Sequence, residues 1–181
     1  MNTYIALLRG INVSGHKKIK MVDLKTMFEK IPFKNVQTYI QSGNVVFKTE
    51  ETKIPLLEEK ITKAIAQIFY FDVPVIVKTM KDMTEILKKN PFKNPEDIEY
   101  KRIYYALLKT KPENTLVKNL EAEHYPNEEF YISDNCVYLN YTLGAGKAKL
   151  SNNLIERKLN AVATSRNHRT MVKLLALAKE N

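Results

Sequence analysis

The chain has 181 residues, enough for one domain or two small ones with a buried core, and its 44% hydrophobic and 27% charged residues exclude a disordered polymer. No apolar stretch approaches the roughly 20 residues of a membrane span, residues 4–8 run into Arg9 without a cleavage-site pattern, and the single cysteine, Cys136, excludes an internal disulfide and a CxxC metal site. A cytoplasmic protein with no membrane segment, no metal and no cofactor is therefore expected.

The first strand is read over residues 3–9. Leu24, Met27, Phe28 and Ile31 follow at i, i+3, i+4, i+7 and predict an amphipathic helix over 21–31, which Pro32 stops. Two β-rich runs, VQTYI and NVVFK, flank Gln41-Ser42-Gly43, where Gly43 can supply the positive φ of a tight hairpin. Leu57, Ile61, Ala64, Ile65 and Ile68 predict a second helix, VPVIVK a fourth strand, and Met83, Ile86 and Leu87 a closing helix. Residues 90–100, dotted with Pro and Asn, read as a linker.

The same order then recurs. RIYYALLK is a strand, Pro112 opens a helix, EFYIS and CVYLNY flank an Asp134-Asn135 turn, and Leu150, Leu154, Ile155 and Leu159 mark a helix. AVATS is a brief strand, and Met171, Val172, Leu175 and Ala178 face a last helix. The expected fold class is α+β: two ferredoxin-like βαββαβ units with antiparallel or mixed sheets, each followed by an extra helix. The expected division is 1–79, a connecting helix and linker over 80–100, and 101–181.

Charge divides unevenly along this plan. Residues 1–20 carry Arg9, Lys17, Lys18 and Lys20 with no acid, and residues 144–181 carry eight basic side chains against Glu156 and Glu180. The excess behind the net charge of +9 sits wholly at these two ends, which suggests an anionic partner such as nucleic acid. In a split βαβ unit, strands 1 and 2 run in the same direction, as do strands 3 and 4. RGINVSGHKK should therefore share a rim with QSGN in the first unit, and GAGKAKLSN with TSRNHRT in the second.

LRGINV, TYIQSGNVVF, NPF, GAGKAKLSN and TSRNHRT, in this order and spacing, resemble the bacterial family known as domain of unknown function 1697. The resemblance implies a two-part α+β architecture and no assigned activity. The family pattern has Gly at the place of Ser14, Ser at that of Ala148, and Trp-Asn at that of His168-Arg169. This chain thus lacks a hydroxyl at 148 and is more basic at its last segment.

Taken singly, the four segments suit an anion to different degrees. Gly10 and Gly15 allow close backbone approach, and Arg9 offers a planar fork of donors. Against this, Arg9 could pair with an acid and the lysines could simply be solvated. Ser42 and Asn44 fit a hairpin's local needs as well as a ligand's. Gly144 and Gly146 lead to a helix start carrying Lys147 and Lys149, without the spacing of a phosphate-binding P-loop. Arg166 and Arg169 are read around a helix start, where cations oppose the macrodipole unless an anion sits between them. His16, His124 and His168 form no metal or nucleophile motif.

The expected contacts are Arg9, Lys17, Lys147, Lys149, Arg166 and Arg169, oriented by Asn12, Ser42, Asn44 and Asn167. They would line a basic cleft formed by the two halves for a phosphate-bearing ligand, RNA or a nucleotide. The alternatives are an enzyme on a small phosphorylated or carboxylated metabolite, and a scaffold docking an acidic protein. Tyr104 or Tyr105 with Tyr138 or Tyr141 could form a base-stacking platform of the RNA-recognition type, although its signature run is absent.

Overall fold

The computed structural model describes residues 1–181. The first unit runs β1 (Asn2–Leu8), α1 (Met21–Lys30), β2 (Lys34–Tyr39), β3 (Asn44–Thr49), α2 (Ile54–Phe69) and β4 (Val75–Thr79). Its sheet has the order β2-β3-β1-β4, and every neighbouring pair is antiparallel. β1 and β2 consequently point the same way with β3 between them, the ferredoxin-like arrangement.

One face of this sheet carries Tyr4, Ala6, Leu8, Val45, Phe47, Val75 and Val77 into a core with the apolar stripes of both helices. From α1 these are Leu24, Met27 and Phe28, and from α2 Leu57, Ile61 and Ile65. Each such side chain contributes about 1.5–3 kcal/mol on full burial. Phe33 and Phe47 stack at 4.4 Å at the centre. Helix α1 stops because Ile31, preceding Pro32, is extended.

The second unit comprises β5 (Ile103–Leu108), α5 (Asn114–Glu121), β6 (Glu128–Ile132), β7 (Cys136–Tyr141), α6 (Asn152–Leu159) and β8 (Ala163–Asn167), with sheet order β6-β7-β5-β8, again antiparallel. Two helices precede it, α3 (Met80–Lys88) and α4 (Pro95–Glu99), and α7 (His168–Glu180) follows it. The compact units are Met1–Glu85 together with Lys173–Asn181, and Ile86–Val172, so the divisions fall inside α3 and α7. No helix is long and apolar enough to cross a membrane.

The repeat extends to single hydrogen bonds. Leu8 N donates to Gly43 O at 2.8 Å and Arg9 N to Pro74 O at 2.9 Å; Leu108 N donates to Asn135 O and Lys109 N to Val162 O, both at 2.9 Å. Arg9 and Lys109 are thus equivalent. Each sheet also has its edge strand capped by a glutamate at the fifth position of the second helix of its unit. Glu58 Oε1 accepts from Val77 N at 3.0 Å, and Glu156 Oε1 from Ala163 N at 2.9 Å. Such side-chain acceptors cover amides that an edge strand otherwise presents for aggregation.

Three local expectations are corrected. Residues 95–99 form a one-turn helix, capped by Asn94 and opened by Pro95, inside the stretch read as linker. Pro112 does not open α5, which starts at Asn114 with Glu113 as N-cap. The last strand extends to Asn167, so Arg166 is a strand residue and not part of a helix start. Pairing of Arg166 with Tyr105 along β5 holds that backbone extended against its weak local preference.

Candidate functional site

β1 and β2 deliver their C-terminal loops to one rim, as the strand directions require. Ile11 folds back under this rim and is buried. A Cβ on Gly43, whose φ is +75°, would lie 2.7 Å from both Ile11 Cδ1 and Leu8 Cβ, so only glycine fits there. Asn12 is the staple of the loop. Its Nδ2 donates to Ile19 O at 2.9 Å and to Gln41 O at 2.8 Å, while its Oδ1 accepts from Ile19 N at 2.9 Å. Within the hairpin, Asn44 Nδ2 donates to Ser42 Oγ at 2.9 Å and to Tyr39 O at 3.0 Å. These three residues hold the rim in shape.

The loop is also bent tightly. Gly10, Asn12, Ser14, Gly15 and Lys17 all have positive φ, and for the non-glycine members this costs on the order of 1 kcal/mol each. Lys17 Nζ donates to the carbonyl of Asp72, just beyond α2. Helix α2 has no basic residue in its last turn, and Lys17 brings a positive charge to that end from a distant segment. Lys18 and Lys20 remain exposed, with no acid paired to either. With Asn12, Ile19, Asp23, Gln41 and Phe69 they line a hollow of about 400 Å³. The first turn of α1 borders it; Lys20 is the N-cap and no side chain caps the helix.

The second unit is arranged otherwise. Lys147 lies in a 3-10 turn at Ala145–Lys147, and α6 begins only at Asn152 with Ser151 as its cap, so neither Lys147 nor Lys149 belongs to the helix. The amides of Lys149 and Leu150 donate to the two carboxylate oxygens of Glu128, at 2.6 and 2.8 Å. The protein's own carboxylate therefore occupies the position an external anion would take.

Asn152 joins this segment to TSRNHRT by accepting from Ser165 Oγ at 2.9 Å and donating to Ala163 O at 3.0 Å. Alternation along β8 turns Arg166 to the face opposite Ser165. The Arg166 guanidinium is buried, donates to Thr164 Oγ1 at 2.7 Å and Ser165 O at 2.9 Å, and is pushed down to about 10 by desolvation. Asn167 Oδ1 accepts from Thr170 N, capping the start of α7, and Arg169 is exposed. His168 Nδ1 lies 2.7 Å from the Tyr105 hydroxyl, and burial lowers the pKa of the imidazole.

The expected residues thus sort by place. Arg9, Asn12, Lys17, Ser42 and Asn44 meet at the first rim; Lys147, Lys149, Arg166, Asn167 and Arg169 do not converge on one point of the second. Lys18, Lys20, Gln41 and Phe69, which complete the first hollow, were not singled out from sequence, where only the lysine run hinted at two of them. The stacking platform is closed: Tyr105 and Tyr138 are 0% exposed and Tyr141 4%, and Tyr104 packs partly buried against the core. No group of three or more His, Cys, Asp or Glu side chains is placed to hold a metal ion.

A pair of ferredoxin-like units with one glycine-turned, asparagine-stapled basic rim defines the class of this protein. It belongs to the family described as protein of unknown function DUF1697, whose signature matches residues 1–138 and so contains the first rim entire. It is similar in fold to the conserved bacterial protein SP0830 from Streptococcus pneumoniae, with a TM-score of 0.72, 21% identity and 98% of each chain covered. No curated protein matches the chain.

Proposed function

We propose that the protein is a binding module for a phosphate-bearing ligand, RNA or a nucleotide, and that the rim of the first sheet is its grip. Support comes above all from the fixed backbone of residues 9–20, which bears four cations and no acid and is held in shape by Asn12. Backbone strain that a fold keeps in a surface loop is what pre-organised ligand sites show. In this proposal Lys18 and Lys20 meet the phosphates, with Arg9 adding charge at the rim. Asn12, Lys17, Ser42 and Asn44 act through shape. Lys147, Lys149 and Arg169, exposed on the second unit, add to the general attraction of a polyanion. Asp23 faces the same hollow and weakens the grip, so Asp23→Asn should tighten binding about two- to fivefold at low salt.

The test is fluorescence anisotropy of a labelled oligonucleotide from 50 to 200 mM salt. Log affinity should fall linearly with log salt, and Lys18→Ala/Lys20→Ala should flatten the slope. No binding at low salt, or binding indifferent to salt, would sink the proposal. A compact metabolite found by native mass spectrometry on the purified protein, bound without a salt slope, would put an enzyme in its place.

A further inference from the structure

Tyr70 is a residue that its own backbone position does not call for. It is the C-cap of α2, with φ 59° and ψ 30°, and its N–H donates to Ala66 O. Glycine or asparagine is favoured where a helix ends in the left-handed region, because a bulky side chain is strained there. Yet this tyrosine is 88% exposed, and its ring stacks on no other ring and its hydroxyl makes no hydrogen bond. Nothing in the packing of the unit requires an aromatic residue at position 70.

Its neighbours give it a context. Phe69 lines the hollow with Lys18 and Lys20, and Asp72 receives Lys17 through its carbonyl, so Tyr70 stands between a residue of the hollow and the residue that holds Lys17. Ile40 and Val13, on the two loops of the same rim, are also exposed, at 48% and 58%. Other exposed tyrosines are differently placed: the ring of Tyr100 is covered by the Arg102 guanidinium at 5.1 Å, and that of Tyr131 lies 6.1 Å from Tyr138. An exposed aromatic face one residue along the chain from a lysine-lined hollow offers the combination by which proteins hold unpaired bases while neutralising the adjoining phosphates. A duplex offers the same phosphates but buries its base faces in its own stack.

We infer that the first rim binds single-stranded nucleic acid, with Tyr70 stacking on a base and Lys18 and Lys20 contacting flanking phosphates. This rests on the phosphate grip proposed above and adds to it the unpaired base. The experiment is anisotropy with a labelled octauridylate, an octathymidylate and an RNA duplex of equal length, alongside thermal melting of the same variants. Single strands of either sugar should bind at least about tenfold more tightly than the duplex, and Tyr70→Ala should weaken them about tenfold without changing the salt slope. Tyr70→Phe should bind like the parent. Lys18→Ala and Lys20→Ala should each lower the slope by about 0.7.

Tyr70→Gly separates binding from folding: it should melt about 2–4 °C higher while binding as weakly as Tyr70→Ala. If Tyr70→Ala binds like the parent while the lysine variants weaken, stacking is overturned and the phosphate grip survives. Equal or tighter binding of the duplex overturns the single-strand inference in the same way. If the parent binds none of the probes at 50 mM salt, both fall.

Discussion

The side-chain amide of Asn12 donates to the carbonyl of Gln41 at 2.8 Å across 29 residues of sequence, tying the loop after β1 to the loop after β2. With its two bonds to Ile19 it satisfies backbone groups on both sides of the basic turn. Asn12→Ala should therefore destabilise the protein by about 1–3 kcal/mol, and amide exchange should quicken over residues 10–19. Asn12→Asp keeps the acceptor for Ile19 N and loses the two donors, so it should fall between parent and alanine in urea melts.

Gly43 and Gly10 share a positive φ but differ in what surrounds them. A methyl group on Gly43 would meet Ile11 and Leu8 at 2.7 Å, whereas one on Gly10 would meet nothing within 4 Å. Gly43→Ala should cost about 2–4 kcal/mol through strain and overpacking. Gly10→Ala should cost only the conformational part, about 1 kcal/mol. Equal losses in parallel denaturant titrations would contradict this.

Glu58 is a buried acceptor for the amide of Val77 on the edge strand of its sheet. Glu58→Ala strands that donor and should cost about 1–3 kcal/mol, while Glu58→Gln keeps an acceptor oxygen and should cost less. The parallel pair Glu156→Ala and Glu156→Gln should rank the same way through Ala163 N. The alanine variants should also aggregate more readily, as read by light scattering, because an edge amide is freed.

His168 supplies a pH dependence. Burial holds its imidazole below the ordinary 6.5, so between the folded and unfolded values the unfolded chain binds more protons. Stability from this group is fully present above about pH 6.5 and is lost as pH falls through the folded value. The neutral ring can accept from the Tyr105 hydroxyl at Nδ1, whereas the protonated ring has only donors to offer. The urea midpoint of the parent should drop between pH 7.5 and 5 by more than that of His168→Gln, and identical profiles would exclude the histidine as the source.

Both βαββαβ units were legible from residue order because their strands and helices carry clean periods: Leu24, Met27 and Phe28 face inward as their spacing predicts. The rim shared by RGINVSGHKK and QSGN followed from strand direction alone. Arg166 was misplaced because Ser-Arg-Asn resembles a helix cap locally, and only its pairing with Tyr105 keeps it in a strand. The occupation of the Lys149 and Leu150 amides by Glu128 comes from 21 and 22 residues away and leaves no local trace. The turn at α4 does leave one, since Asn94-Pro95-Glu96-Asp97 is a helix start signal set among the prolines of the connector.

The first compact unit takes in Lys173–Asn181, where Asn181 Oδ1 accepts from Gln37 on β2. On the ribosome, those nine residues emerge after the whole of the second unit. An N-terminal unit ordinarily closes while the next is being made, and the core of this one, drawn from residues 4–77, needs none of those nine. Residues 1–85 can therefore bury that core early, and the bond from Gln37 to Asn181 is the part added last.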